Sequence, residues 1–224
     1  LSSVDCDRLI MNGDIIDGWQ LHNSDDKWNS SHSAFFRVIM KMMENHSTEV
    51  IYVSGNHDDF LDPIVPSKLF NISFVSEYIL REEKHSYVVI HGHAFDSITA
   101  RFRWISRLGD IGYNLLLKFN NMWNRARMRH GKEYYSFSKV IKHKVKQAVS
   151  LISGFESDLE AFARARGCDG IICGHIHNPE DKMLKGGIHY LNSGDWVESL
   201  SALVEDFDGN WSILRYNDFV KPQP

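Results

Sequence analysis

Ile171-Ile172-Cys173-Gly174-His175-Ile176-His177 is the stretch on which the reading of this chain turns. A short apolar run leads into a glycine, and two histidines follow two positions apart. In extended backbone, residues i and i+2 point to the same side. His175 and His177 therefore offer two imidazoles to one small volume, and imidazole ligates several divalent transition metals. Taken alone, the pair reads equally well as two exposed histidines in a turn.

The same syntax occurs three more times. Arg8-Leu9-Ile10-Met11-Asn12-Gly13 runs into Asp14 and Asp17. Val50-Ile51-Tyr52-Val53-Ser54-Gly55 runs into Asn56, His57 and Asp58. Tyr87-Val88-Val89-Ile90 runs into His91, Gly92 and His93. Apolar runs of this length read as buried strands. In layered α/β folds, ligands bind beyond the carboxyl ends of the strands. Four strands delivering Asp, Asn and His to one edge make the pattern of a metal site.

Gly13-Asp14-Ile15-Ile16-Asp17, Gly55-Asn56-His57-Asp58, His91 and Gly174-His175-Ile176-His177 resemble, in order and spacing, the motifs of calcineurin-like metallophosphoesterases. The resemblance implies a four-layer α/β/β/α sandwich that hydrolyses phosphoesters with two divalent metal ions. Mn²⁺ is the expected ion, with Zn²⁺, Fe²⁺ and Ni²⁺ as alternatives. A narrower resemblance covers nearly the whole chain. Asp14 to Trp19, His91-Gly92-x-x-Phe95-Asp96, the Lys/Arg-rich helices and Asn192 to Ser199 look like the UDP-2,3-diacylglucosamine hydrolase-like branch, which works in lipid A synthesis. One departure stands out. The best-known enzymes of that branch carry Gly-Asn-Arg-Asp where this chain has Gly55-Asn56-His57-Asp58, the form of the wider superfamily.

The 224 residues suit one domain (1–224) with an insertion. A hydrophobic share of 43% supplies a sizeable core. No apolar run approaches the length of a membrane span. Three cysteines, Cys6, Cys168 and Cys173, argue against a disulfide framework and for a reducing compartment. The expected location is cytoplasmic, with room for peripheral association at the inner membrane. The resemblance also implies a strand ending in Asp-x-His ahead of Arg8. That pair does not occur in the sequence, which reads as a fragment lacking its first strand rather than as a protein that has lost half a site, so one metal position is expected to be incomplete in it.

Along the chain, Gly18 to Ser31 reads as a polar loop at the site edge. Ser33 to Asn45 reads as a helix, with Phe35, Val38, Ile39, Met42 and Met43 on its apolar face. Ser201 to Glu205 and Trp211 to Tyr216 read as a hairpin around Asp208-Gly209-Asn210. Between them, 97–167 departs from strand–helix alternation. Apolar residues recur at helical spacing over Trp104–Met122 and Phe137–Ile152. Ser153-x-x-Glu156 resembles a capping box for a third helix stopped at Gly167. The region reads as an inserted helical cap.

Net charge is −4, but it is not evenly spread. Between Arg101 and Gln147, twelve Lys or Arg face two acids, a surplus of +10 that leaves −14 elsewhere. A charge run is commonly a solvated helix surface. Segregated beside aliphatic and aromatic residues, it also suits an anionic amphiphile or an anionic membrane surface. No nucleic-acid motif accompanies it, so nucleic acid is not an expected partner.

A phosphoester is anionic and repels hydroxide, and two metal ions neutralise its oxygens and acidify a bound water that then attacks phosphorus. Asp14 is the candidate bridging carboxylate. Asn56, His91 and His175 would complete one ion, and His177 with the upstream pair would hold the other. His57, one residue past a ligand, is the candidate acid for the leaving oxygen. Asp17 resembles the position that orients it. His93 is left open between substrate contact, a supporting role and simple exposure. Arg125, Lys139, Lys142 and Lys146 are the candidate contacts to the phosphates or sugar of an acylated sugar nucleotide. The remaining histidines, His189 among them, read as surface residues. The alternatives are a generic phosphodiesterase or phosphatase, or a metal-binding protein that docks on membranes without turnover.

Overall fold

The computed structural model describes residues 4–23, 28–82, 84–95 and 154–219. The chain divides into two compact units, Leu1–His93 with Glu160–Pro224, and Ala94–Leu159. In the second unit the rings of Phe95 and Phe155 meet edge-on, 6.1 Å apart. The two long cap helices read over Trp104–Met122 and Phe137–Ile152 lie outside the described residues.

The first unit holds two sheets. In one, strands β1 (Arg8–Asn12), β2 (Glu49–Val53), β3 (Ser67–Leu69) and β4 (Ile72–Val75) lie in the order β1-β2-β4-β3. In the other, β5 (Glu77–Arg81), β6 (Ser86–Ile90), β7 (Gly170–Cys173), β8 (Glu180–Met183) and β9 (His189–Asn192) lie in the order β5-β6-β7-β9-β8. Strands β1, β2 and β4 run parallel, as do β6, β7 and β9. Parallel strands are covered on both faces, which is why β2, β6 and β7 are apolar without alternation.

One core lies between the sheets. Ile51 and Val53 from the first meet Tyr87, Val89, Ile172 and Leu191 from the second. The residues that alternate with them, Val50 and Tyr52, face the opposite way, onto Ile39 of helix α2 (Ser30–His46). On the far face of the second sheet, Val88 and Ile171 are fully buried as well. Helix α3, at 154–165, is tied to this sheet's edges. Arg166, just past its end, bonds Glu77 of β5, and Glu160 accepts the Gly186 N–H between β8 and β9. The fold is thus a mixed α/β sandwich, with a hairpin of β10 (Ser201–Glu205) and β11 (Trp211–Arg215) adding Leu203 and Trp211 to the core.

Two local readings need correction. Gly18–Ser31 is not all loop: Gly18–Asn23 is a short helix, α1, and α2 already begins at Ser30. The Asp17 carboxylate caps α1 by accepting the Gln20 N–H at 2.9 Å. Six residues are too few to leave an apolar period in sequence. The early start of α2 follows from Asn29, whose side chain accepts from Ser31 and His32 while the His32 ring accepts the Asn29 N–H. A capping box built on Asn and His departs from the usual Ser/Thr and Glu form. His189 is also more than a surface residue, since its ring bridges the Tyr87 hydroxyl and Asp181, each at 2.8 Å.

Candidate metal centre

β1 and β2 are in register to their last residues, Asn12 opposite Val53. Gly13-Asp14 and Ser54-Gly55-Asn56 therefore leave the sheet at one level. The second sheet ends its parallel strands at the same place, with His91 after β6 and His175 after β7. Asp14, His91 and His175 each present a ligand atom, and these atoms all lie within 4.8 Å of one another. Both histidines are buried.

The protonation pattern inside this group is set by its neighbours. His91 Nδ1 lies 2.9 Å from the Asn12 carbonyl, which can only accept, so Nδ1 carries the ring hydrogen. In the neutral ring Nε2 then presents a lone pair. It lies 3.0 Å from Asp14 Oδ2 and 3.2 Å from His175 Nδ1. Carboxylate and imidazole lone pairs at that range repel unless a proton or a cation stands with them. The backbone points the same way. Asp14, His175 and His177 have φ of 53°, 60° and 56°, left-handed values that non-glycine residues avoid. Strain of about 1–3 kcal/mol per residue persists where the surroundings enforce it, commonly at functional sites.

Burial alone would raise the Asp14 pKa. The hydrogen bond and charge of His91, the backbone N–H of His57 and the charge of that ring outweigh it and hold the carboxyl at about 2. Asp14 is therefore ionised at neutral pH. Two glycines make room for it. A Cβ on Gly55 would run into Asp14 Oδ1, and one on Gly13 into the His91 ring.

Asn56 sits between Gly55 and His57, both of which touch Asp14, and its Oδ1 is buried without a hydrogen-bond partner among the described residues. A buried amide oxygen left in that condition is costly unless something else fills the role. Carboxylate, two imidazoles and an amide oxygen together fit a borderline divalent cation. The Asn12 side chain is likewise buried and unpartnered.

The remaining expected residues fall in two groups. His57 Nδ1 lies 3.2 Å from Asp17 Oδ1, so the Asp–His pair exists as a contact at the site's edge. His177 stands outside the three-residue group, with Nδ1 3.5 Å from Asp195 Oδ2. His93 is exposed, its ring 5.7 Å from that of His91. Arg125, Lys139, Lys142 and Lys146 lie outside the described residues.

Two supporting residues escaped the sequence reading. Asp58 is fully buried and accepts from the Tyr52 hydroxyl (2.8 Å) and from the N–H groups of Ile15, Ile16 and Gly55 (3.3, 2.9 and 3.3 Å). It thereby fastens the Asp14 loop to the Asn56 loop. Its place as fourth residue of Gly55-Asn56-His57-Asp58 was the only signal. Asn192, also fully buried, donates to the Gly174 carbonyl and accepts the Gly194 N–H, each at 2.9 Å. That holds the His175 turn against the loop carrying Asp195, whose own carboxylate accepts N–H groups from Val197, Glu198 and Ser199.

Two sheets thus bring a partly buried carboxylate and two buried imidazoles to one edge, a group that could hold a divalent metal ion. The family described as calcineurin-like phosphoesterase matches residues 1–179, and the chain belongs to it. It is accordingly a metal-binding phosphoester hydrolase. No curated protein matches the chain. Solved structures with a similar trace include an archaeal phosphodiesterase, 12% identical with a TM-score of 0.33, covering 80% of this chain and 74% of that one. A Vps29 variant from Entamoeba histolytica is 11% identical with a TM-score of 0.40, covering 95% and 83%. A predicted phosphoesterase from Streptococcus pneumoniae TIGR4 is 15% identical with a TM-score of 0.34, covering 93% and 81%. Likenesses at these scores carry no argument about activity. No helix among the described residues is long and apolar enough to cross a membrane.

Proposed function

We propose that the chain hydrolyses a phosphodiester or pyrophosphate in an anionic amphiphile, of the kind represented by an acylated sugar nucleotide such as UDP-2,3-diacylglucosamine. The observation that carries the hydrolytic part is the convergence of ligand atoms of Asp14, His91 and His175 within 4.8 Å of one another. These three, with Asn56, would hold one divalent ion, with Mn²⁺ the first choice, and His177 would serve a second. Such ions, when bound, withdraw charge from phosphoryl oxygens and lower the pKa of water.

The chain's own residues supply the rest. Asp17, 3.2 Å from Nδ1, orients the His57 ring. Among the described residues nothing bonds Nε2, which is left for the leaving group. As a water oxygen attacks phosphorus, the bond to the leaving oxygen breaks, that oxygen keeps the electron pair, and Nε2–H protonates it. The water's proton passes to solvent.

The amphiphile part of the proposal rests on sequence. A +10 segment beside apolar periods matches phosphates on one side and acyl chains on the other. Arg125, Lys139, Lys142 and Lys146 are the proposed contacts, and an anionic membrane surface is the proposed setting. Burying acyl carbons contributes about 0.8 kcal/mol per methylene, so a few carbons separate lipid from soluble substrate. The test measures Mn²⁺-dependent catalytic efficiency of the full-length protein on a diacylated sugar nucleotide and on its deacylated form. A preference of tenfold or more for the diacylated form, about 1.4 kcal/mol, is expected. Equal efficiencies would leave a soluble phosphodiester as the substrate, and no Mn²⁺-dependent turnover of either would overturn the hydrolytic reading.

A further inference from the structure

Trp19 is half exposed, 49%, yet it is held in place. Its Nε1–H donates to Asp59 Oδ2 at 3.2 Å. Its ring centroid lies 4.6 Å from that of His57, the planes tilted by 32°. This is stacking range for aromatic rings. The backbone beneath is fastened too. Gly18 N–H donates to the His57 carbonyl at 3.0 Å, and a Cβ on Gly18 would strike the Phe60 ring. His57 N–H in turn donates to Asp14 Oδ1 at 2.9 Å.

His57 is thus constrained from three directions. Its main chain is pinned at both N–H and carbonyl, one ring edge meets Asp17, and one ring face meets Trp19. An exposed imidazole with a single carboxylate contact keeps freedom to rotate about that contact. A ring stacked on its face removes that freedom and leaves Nε2 aimed one way.

We infer that Trp19, anchored by Asp59, is a positioning residue that holds the His57 ring in the orientation from which Nε2–H reaches the leaving oxygen. The inference rests on the acid role given to His57 above. It assigns no contact between Trp19 and the phosphoryl group. Misplacement of a catalytic group by about 1 Å can cost on the order of 100-fold in rate. A ring that still samples the right orientation costs less.

Two measurements test this. The first uses full-length protein with Mn²⁺ and a series of phosphodiesters whose leaving groups run from p-nitrophenol to an alkyl alcohol. A good leaving group departs without a proton, so only the poor ones depend on the acid. Trp19→Leu should lower kcat about tenfold for the alkyl leaving group, with KM nearly unchanged and little loss for p-nitrophenol. Trp19→Phe should restore most of the rate, and Trp19→Leu should add nothing in a His57→Ala background. A loss at Trp19→Leu that is equal across the series, while His57→Ala shows a leaving-group-dependent loss, overturns the positioning role alone. A uniform loss at His57→Ala removes the acid role and the inference with it.

The second needs no turnover. The carbon-bound ring protons of His57, assigned by their disappearance in His57→Ala, should show an upfield ring-current shift in the proton NMR spectrum. Trp19→Leu should abolish that shift and Asp59→Ala should reduce it. An unchanged His57 spectrum in Trp19→Leu overturns the stacking and with it the proposal.

Discussion

The Tyr52 hydroxyl donates to Asp58 Oδ1 at 2.8 Å, and both side chains are buried. Tyr52 lies on β2, on the face that packs against α2, while Asp58 reaches the N–H groups of Ile15 and Ile16 beyond β1. One bond thus couples the outer core of the first sheet to the loop that carries Asp14. Burial first, and then the neighbouring Asp58 charge, raise the Tyr52 pKa above the ordinary phenol value, so the hydroxyl is a donor at neutral pH.

Tyr52→Phe removes this donor and leaves Asp58 with backbone partners only. A buried hydrogen bond to a charged group contributes about 1.5–3 kcal/mol, so a destabilisation of that order is expected in chemical denaturation. Divalent-ion affinity, read by calorimetry, should fall as well, because the Asp14 loop loses its fastening. A variant with full stability and full affinity would show that the bond is incidental.

Gly55→Ala places a methyl group against the Asp14 carboxylate. The side chain or the loop must shift, and the ligand atoms separate. Supporting changes of this kind cost about 10–100-fold in metal affinity. The expected signature is a large loss of divalent-ion binding with a fold that still melts cooperatively.

Metal binding should stabilise the fold, because the three ligands come from both sheets. An ion present at 100 times its Kd adds about 2.7 kcal/mol. Thermal denaturation with and without EDTA measures this directly. Asp14→Asn, His91→Ala and His175→Ala should each remove most of the shift. His189→Ala, which lies at the opposite end of β9 from the cluster, should keep the shift while losing the Tyr87 and Asp181 bonds.

Asp169 predicts a pH dependence. The backbone N–H of Ser86 and then its hydroxyl, each 2.9 Å away, hold the Asp169 carboxyl below the ordinary value of 3.8. A depressed folded-state pKa means that the contribution to stability is fully present above the unfolded value. It is lost as pH falls through the folded one. Asp169→Asn should therefore be less stable than the parent at pH 7, by about 0.5 kcal/mol given the solvent screening at this exposed site. The difference should shrink below pH 3.8. A deficit constant with pH would place the effect in geometry rather than charge.

What the sequence determined by itself is the set of local facts. Val50–Val53, Tyr87–Ile90 and Ile171–Cys173 announce buried strands because a strand covered on both faces must be apolar throughout. A candidate ligand within three residues of each strand end, Asn56, His91 and His175, is legible because strand ends and tight turns are properties of neighbouring residues. The family motifs add the candidate identities of Asp14, Asn56, His57, His91, His175 and His177. Short elements without a period, such as α1 and the edge strands β3, β5 and β8, left too little pattern to read.

Only the tertiary structure decided which of those residues meet. Asp14 leaves one sheet and His91 the other, and their 3.0 Å approach depends on how the sheets pack. The same holds for Asp58 beneath the Asp14 loop, Asn192 beneath the His175 turn and Trp19 on the face of His57. Each side chain reaches across 18 or more residues of chain to its partner. A sequence records the kinds of residue available for such contacts. The distances between them exist only once the apolar faces of the two sheets have closed on one core.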